Sequence, residues 1–232
     1  MPPSHDEFVV ILDFGSQYQQ LIARRVREQK VYCEILPFDT DLDALLARKP
    51  RGIILSGGPA SVYSPGAPRL PERLFRAGIP VLGICYGMQL GALLLGGEVK
   101  PAKAREYGFT RLRVGDDRDL FKTFPEHTTV WSSHGDHVAE ISRDFDVIAE
   151  TDNCPLAAVR HKGLPFYGVQ FHPEVAHTPL GAQLLRNFLY HICGCAGTWR
   201  MESYVNQAVE EIRRKVGDGR VVCGLSGGID SS

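Results

Sequence analysis

Through the first hundred residues, short apolar runs alternate with segments long enough for a helix. Phe8-Val-Val-Ile-Leu12 holds no polar position, the pattern of a strand buried on both faces, and Gly15-Ser16 then opens an amphipathic stretch from Gln17 to Gln29. Val31–Leu36, Gly52–Leu55 and Ile79–Ile84 read as further strands, with a Pro/Gly-rich loop and a helix around Leu70–Arg76 between the last two. This alternation predicts an α/β fold with a mostly parallel central sheet and helices on both faces. Beyond residue 100 the pattern changes. Residues 108–114, 128–132, 146–150, 156–160 and 165–171 are strand-like runs joined by turns, expected as antiparallel strands added at the sheet edge. Leu180, Leu184, Leu185, Phe188, Leu189 and Ile192 recur at helical spacing and predict a helix over 179–192.

Gly194-Cys-Ala-Gly197 interrupts that pattern. Residues 199–216 return to helical periodicity, Gly217-Asp-Gly219 stops it, and Val221–Leu225 predicts a fresh strand running into Ser226-Gly-Gly-Ile-Asp-Ser-Ser232. A strand feeding a glycine loop is how an α/β nucleotide domain starts. The expected division is a first domain over 7–195 and, over 196–232, the truncated start of a second.

Composition narrows the function classes. Of 232 residues, 26 are Lys or Arg and 27 are acidic, giving a net charge of −1, without the basic surplus on which nucleic-acid binding rests. The six cysteines are too sparse for a secreted disulfide framework. Cys193-Gly-Cys195 with His191 nearby lacks the further ligands that zinc needs, so no metal site is expected. The polar start Met1-Pro-Pro-Ser-His-Asp-Glu-Phe8 runs straight into a strand, and no apolar stretch is long enough to span a bilayer; a cytoplasmic protein without a membrane partner is expected.

Gly83-Ile-Cys-Tyr-Gly87 has nucleophile-elbow spacing with cysteine at its centre. Its glycines allow a sharp strand-to-helix turn that holds Cys85 strained and exposed, at a helix N-terminus whose macrodipole favours a thiolate. A buried structural cysteine fits the pentapeptide equally well. Phe171-His-Pro-Glu174 follows a strand, so His172 falls at the sheet edge where α/β folds carry their sites, with Glu174 near enough to orient it. Cys85, His172 and Glu174 thus fit the roles of nucleophile, base and orienter. A solvated edge histidine is the alternative for any one of the eight histidines taken alone. Ser56-Gly-Gly-Pro59 supplies backbone N–H groups, and that of Gly58 can converge with that of Tyr86 on an oxyanion; by itself the motif is also simply a tight turn.

Ser56-Gly-Gly-Pro59, Gly83-Ile-Cys-Tyr-Gly-Met-Gln89 and Phe171-His-Pro-Glu174, in this order, resemble the class I (triad) glutamine amidotransferases over residues 7 to about 193. That resemblance implies hydrolysis of L-glutamine, with Cys85 attacking the amide carbon, His172 moving the proton, Glu174 holding His172, and Gly58, Tyr86 and Gln89 against the bound glutamine. No cofactor is implied for that step. Asp13-Phe-Gly-Ser-Gln-Tyr18 and Trp131-Ser-Ser-His-Gly-Asp136 resemble the branch of the family that feeds ammonia to the ATP- and Mg2+-dependent amination of XMP to GMP. Ser133, Gly135 and Asp136 then correspond to the grip on the amino-acid end of glutamine; an exposed turn is the alternative for Asp136. Ser226, Gly227, Gly228, Ile229, Asp230, Ser231 and Ser232 resemble the PP-loop of ATP pyrophosphatases, which binds pyrophosphate through N–H groups and hydroxyls. The remainder of such a domain is the implied partner, and a homodimer of the longer protein stays open. Two other readings stand beside this one: a glutaminase serving a different acceptor, and a non-catalytic glutamine-binding module.

Overall fold

The computed structural model describes residues 7–200, 209–210, 212–217 and 219–222, with the side chains of 103–105 left aside. The chain divides into two compact units, Asp6–Thr198 and a second that joins Met1–His5 to Trp199–Ser232. In the second unit, residues 209–210 and 212–216 are helical, while 221–222, the described part of the expected strand 221–225, carry no strand structure.

The first unit is built on one nine-stranded sheet in the order β2-β1-β3-β4-β9-β8-β7-β5-β6. Its parallel half consists of β1 (Phe8–Asp13), β2 (Tyr32–Pro37), β3 (Gly52–Leu55), β4 (Val81–Ile84) and β9 (Phe166–Val169). Three of these strands, β3, β4 and β9, are buried at every position, as a parallel sheet covered on both faces requires. The antiparallel half is β8 (Ala158–His161), β7 (Phe145–Thr151), β5 (Glu98–Val114) and β6 (His127–Glu140).

One expected edge strand lies elsewhere. β9 sits inside the sheet, parallel to β4 and antiparallel to β8, so it joins the two halves. Its sequence Phe-Tyr-Gly-Val is apolar throughout, which suits an interior place better than an edge.

Helix α1 (Gln19–Glu28) buries Ile22, Ala23 and Val26. α2 (Leu42–Ala47) is capped by Asp41, whose carboxylate accepts from the Ala44 N–H at 2.7 Å. α3 (Tyr86–Leu94) packs on β4 and β9, and α4 (Gly181–Asn187) on α1. Val9, Ile11, Ile54 and Leu82 share a core with Ile22, Val26, Leu184, Leu185, Phe188 and Leu189, each contributing about 1.5–3 kcal/mol by leaving water.

Two predicted helices are modified. The one around Leu70–Arg76 is a single 3-10 turn, Glu72–Leu74, because Pro71 and Gly78 leave little chain between them. The helix expected over 179–192 begins at Gly181 and widens into a π-helical segment at Phe188–Ile192.

Candidate active site

β1, β3, β4 and β9 run parallel, so the turns that follow them meet at one edge of the sheet. The turn after β4 is the elbow. Cys85 has φ 50° and ψ −105°, and its N–H donates to the Val169 carbonyl on β9 at 2.8 Å. A Cβ on Gly87 would stand 2.5 Å from Cβ and the carbonyl oxygen of Leu55, and one on Gly83 would stand 2.6 Å from the Gly87 backbone. Both glycines of the pattern therefore have a steric cause: α3 starts directly against β3 and β4. In one respect the elbow differs from expectation, since Cys85 is strained but only 7% exposed, because the neighbouring turns wall it in.

β9 continues into Gln170, Phe171 and His172. The His172 N–H donates to the Trp131 carbonyl at 3.0 Å, and the Thr178 hydroxyl donates to the His172 carbonyl at 2.7 Å while accepting from the Trp131 N–H at 3.0 Å. His172 Nδ1 donates to Glu174 Oε1 at 2.8 Å, and the Glu174 carbonyl accepts from Arg25 Nε at 3.0 Å. Burial works against a charged imidazole here, but hydrogen bonds to Cys85 and Glu174, together with the charges of both, outweigh it and hold His172 up at about 10. The structure thus brings Cys85, His172 and Glu174 together.

Asp13-Phe-Gly-Ser-Gln-Tyr18 also has a structural cause. Asp13 Oδ1 accepts from the N–H groups of Gly15 and Ser16, and Ser16 Oγ accepts from that of Tyr18. This turn sets the Tyr18 ring edge-on to His172, with centroids 5.4 Å apart.

Beside the thiol lies a pocket of about 400 Å³ whose walls include Cys85 and all the sequence-derived contacts: Gly58, Tyr86, Gln89, Ser133, Gly135 and Asp136. Gln89 Nε2 donates to the Asp136 carbonyl at 2.8 Å and to Gln170 Oε1 at 3.2 Å, so its amide oxygen is what remains to face a ligand. Residues 226–232, the expected PP-loop, lie outside the described residues.

Sequence reasoning missed several groups. Gln170 is 1% exposed and donates through Nε2 to Cys85 Sγ at 3.6 Å. Strand alternation, which puts residues two apart on the same face, was the available signal, since Gln170 precedes His172 by two. Thr178, Arg25 and Glu106 act through tertiary contacts that no local pattern announces, and His134, inside the stretch 131–136, was given no role.

A cysteine on a nucleophile elbow, facing a histidine–glutamate pair across parallel strands, defines a class. The chain belongs to the class-I glutamine amidotransferase family, whose pattern it matches over residues 10–192. Its curated relatives include proteins named GMP synthase (glutamine-hydrolysing): that of Thermomicrobium roseum is 57% identical over 99% of this chain and 43% of its own length, and that of Carboxydothermus hydrogenoformans 53% identical over 97% and 44%. The chain thus spans less than half the length of these relatives. A crystal structure of a candidate GMP synthase subunit from Thermoplasma acidophilum matches with a TM-score of 0.68 and 31% identity, covering 90% of this chain and 99% of that one. A glutamine amidotransferase from Thermotoga maritima shares the fold, with a TM-score of 0.69 at 20% identity over 82% of this chain and 100% of that one. Among the described residues, no helix is long and apolar enough to cross a membrane.

Proposed function

We propose that this chain hydrolyses the side-chain amide of L-glutamine and that the ammonia serves the amination of XMP to GMP, as the glutaminase half of a longer GMP synthase. The observation that carries this reading is the convergence of Cys85 with the His172–Glu174 pair beside the pocket. The sulfur of Cys85 attacks the amide carbon, and the N–H groups of Gly58 and Tyr86 take the oxyanion. His172, held protonated by its neighbours, gives its proton to the departing ammonia as the thioester forms. Water then attacks the thioester, His172 takes a proton from it, and glutamate leaves as the thiol side is restored. Glu174 keeps Nδ1 protonated and so turns Nε2 toward the reaction. Ser133, Gly135, Asp136 and Gln89 hold the amino-acid end of glutamine.

The name these relatives carry, at 50–57% identity, supports the GMP branch. ATP and Mg2+ belong to the synthetase step and enter none of the steps above, and a cytoplasmic setting goes with the same reading. The test is glutamate release from glutamine by the purified chain beside Cys85→Ser. Release by the parent and none by the variant is expected; equal rates overturn the reading.

A further inference from the structure

A second buried polar cluster adjoins the pocket, with His134 in its wall. Glu106 on β5 and His134 on β6 are directly opposed across the hairpin, and their side chains are 3% and 2% exposed. His134 Nε2 meets Glu106 Oε2 at 3.0 Å, and Glu106 Oε1 accepts from the Thr151 hydroxyl of β7 at 2.7 Å. That hydroxyl in turn accepts from the Cys154 N–H at 2.9 Å. On the other side of its ring, His134 Nδ1 meets the Asp136 carbonyl at 3.1 Å. Both ring nitrogens are therefore engaged, Nε2 by the Glu106 carboxyl and Nδ1 by the Asp136 carbonyl, which fixes the orientation of the ring.

What this cluster supports is a break in the hairpin. The pairing shifts between Pro101↔Asp136 and Glu106↔His134, so residues 102–105 stand opposite Gly135 alone. At this break Ser133, His134, Gly135 and Asp136 all reach the pocket, as does Tyr107 beside Glu106. The Asp136 carbonyl is then gripped twice, by His134 Nδ1 from one side and by Gln89 Nε2 of α3 from the other. Of residues 133–136 only Gly135 lacks a partner in the register, and across that gap these side-chain bonds hold the path of the strand.

We propose that Glu106 and His134, braced by Thr151, are positioning residues that set the pocket wall at 133–136 against the amino-acid end of glutamine. This rests on the glutaminase reading. The side-chain bonds of Cys85 and His172 go to other partners, so the pair governs how well glutamine is held rather than how fast the held amide is cleaved. A Gln at 106 keeps the shape but puts an amide NH2 donor in place of one of the two carboxyl oxygens that meet His134 and Thr151.

The experiment measures glutamate release against glutamine concentration, with the full chain, for the parent, Glu106→Gln, Thr151→Val and Thr151→Ser. Alongside, iodoacetamide alkylation of Cys85 reads the thiol without any need for the pocket wall, and thermal melting reads the fold. Glu106→Gln is expected to raise KM about tenfold or more, with kcat and the alkylation rate within about threefold of the parent. Thr151→Val should raise KM by roughly threefold, and Thr151→Ser, which keeps the hydroxyl, should restore it. An unchanged KM in folded Glu106→Gln overturns the proposal, as do matched losses in kcat and alkylation rate. If Glu106→Gln does not fold, the Thr151 pair decides, and equal KM values for Val and Ser overturn it. A parent that is alkylated but releases no glutamate overturns the glutaminase reading itself, and this inference with it.

Discussion

His172 turns its Nδ1 toward Oε1 of Glu174 at 2.8 Å, and both side chains lie inside the protein. Burial alone would lower the basicity of the ring; the contacts with Cys85 and Glu174 raise it from an ordinary 6.5 to about 10. Protonation of His172 therefore contributes stability that is full below about pH 6.5 and fades as pH climbs through about 10. Melting temperatures measured from pH 6 to 10 should fall through this window in the parent. In Glu174→Gln, whose neutral amide no longer favours the charged ring, the fall should be shallower; parallel profiles would contradict the assignment.

Thr178 ties His172 to Trp131 with one hydroxyl that both donates and accepts. Thr178→Val removes both bonds at nearly constant volume and leaves a buried carbonyl and N–H unpaired, at a cost of about 1–3 kcal/mol each where water does not replace the partner. Glutamate release should drop at least about tenfold through kcat, since the imidazole loses its fixed position. Thr178→Ser keeps the hydroxyl and should stay near the parent. Equal activity in the Val and Ser variants would make the hydroxyl irrelevant.

Cys85 holds a backbone conformation that residues with a Cβ rarely adopt. Such strain costs roughly 1–3 kcal/mol, and glycine relieves it. Cys85→Gly should therefore unfold at higher denaturant than Cys85→Ala, although glycine ordinarily loses more chain entropy on folding. Both should be inactive. The reverse order of stability would mean that the elbow is unstrained.

Two glycines should respond in opposite ways to alanine. A Cβ on Gly57 would sit 3.3 Å from His172 Cε1 and 3.7 Å from Cys85 Cβ, a tight fit against side chains. Gly57→Ala should fold with little loss of stability while activity falls. Gly87→Ala presses on the Leu55 carbonyl at 2.5 Å, where backbone must yield, and should lose about 2 kcal/mol or more. Circular dichroism melts beside glutamate release separate the two cases.

The features legible in sequence were those set by local pattern. Continuous apolar runs marked β1, β3 and β4, whose burial on both faces removes polar alternation. Gly83 and Gly87 marked the elbow because close approach leaves room for nothing larger. The lengths of β5 and β6 were not legible: polar residues such as Lys100 and His137 continue the strands far beyond their apolar centres, carried by pairing with each other. The interior place of β9 was hidden for a related reason. An apolar run states that a strand is buried but not which strands lie beside it. Thr178 and the Glu106–His134 pair are polar residues with partners 28 to 47 positions away, beyond any spacing rule, although Thr178 also meets its near neighbour His172 and His134 the carbonyl of Asp136.

The interior place of β9 makes the reaction centre depend on the joining of the two halves of the sheet. Val169 supplies the acceptor for the Cys85 N–H, and the same strand delivers His172, so thiol and imidazole meet only where β9 lies between β4 and β8. A growing chain that has released residues 1–100 already carries the elbow sequence, yet it has neither the clamp on Cys85 nor the group that moves its proton. Glutamine turnover thereby becomes a report that β9 is in its place.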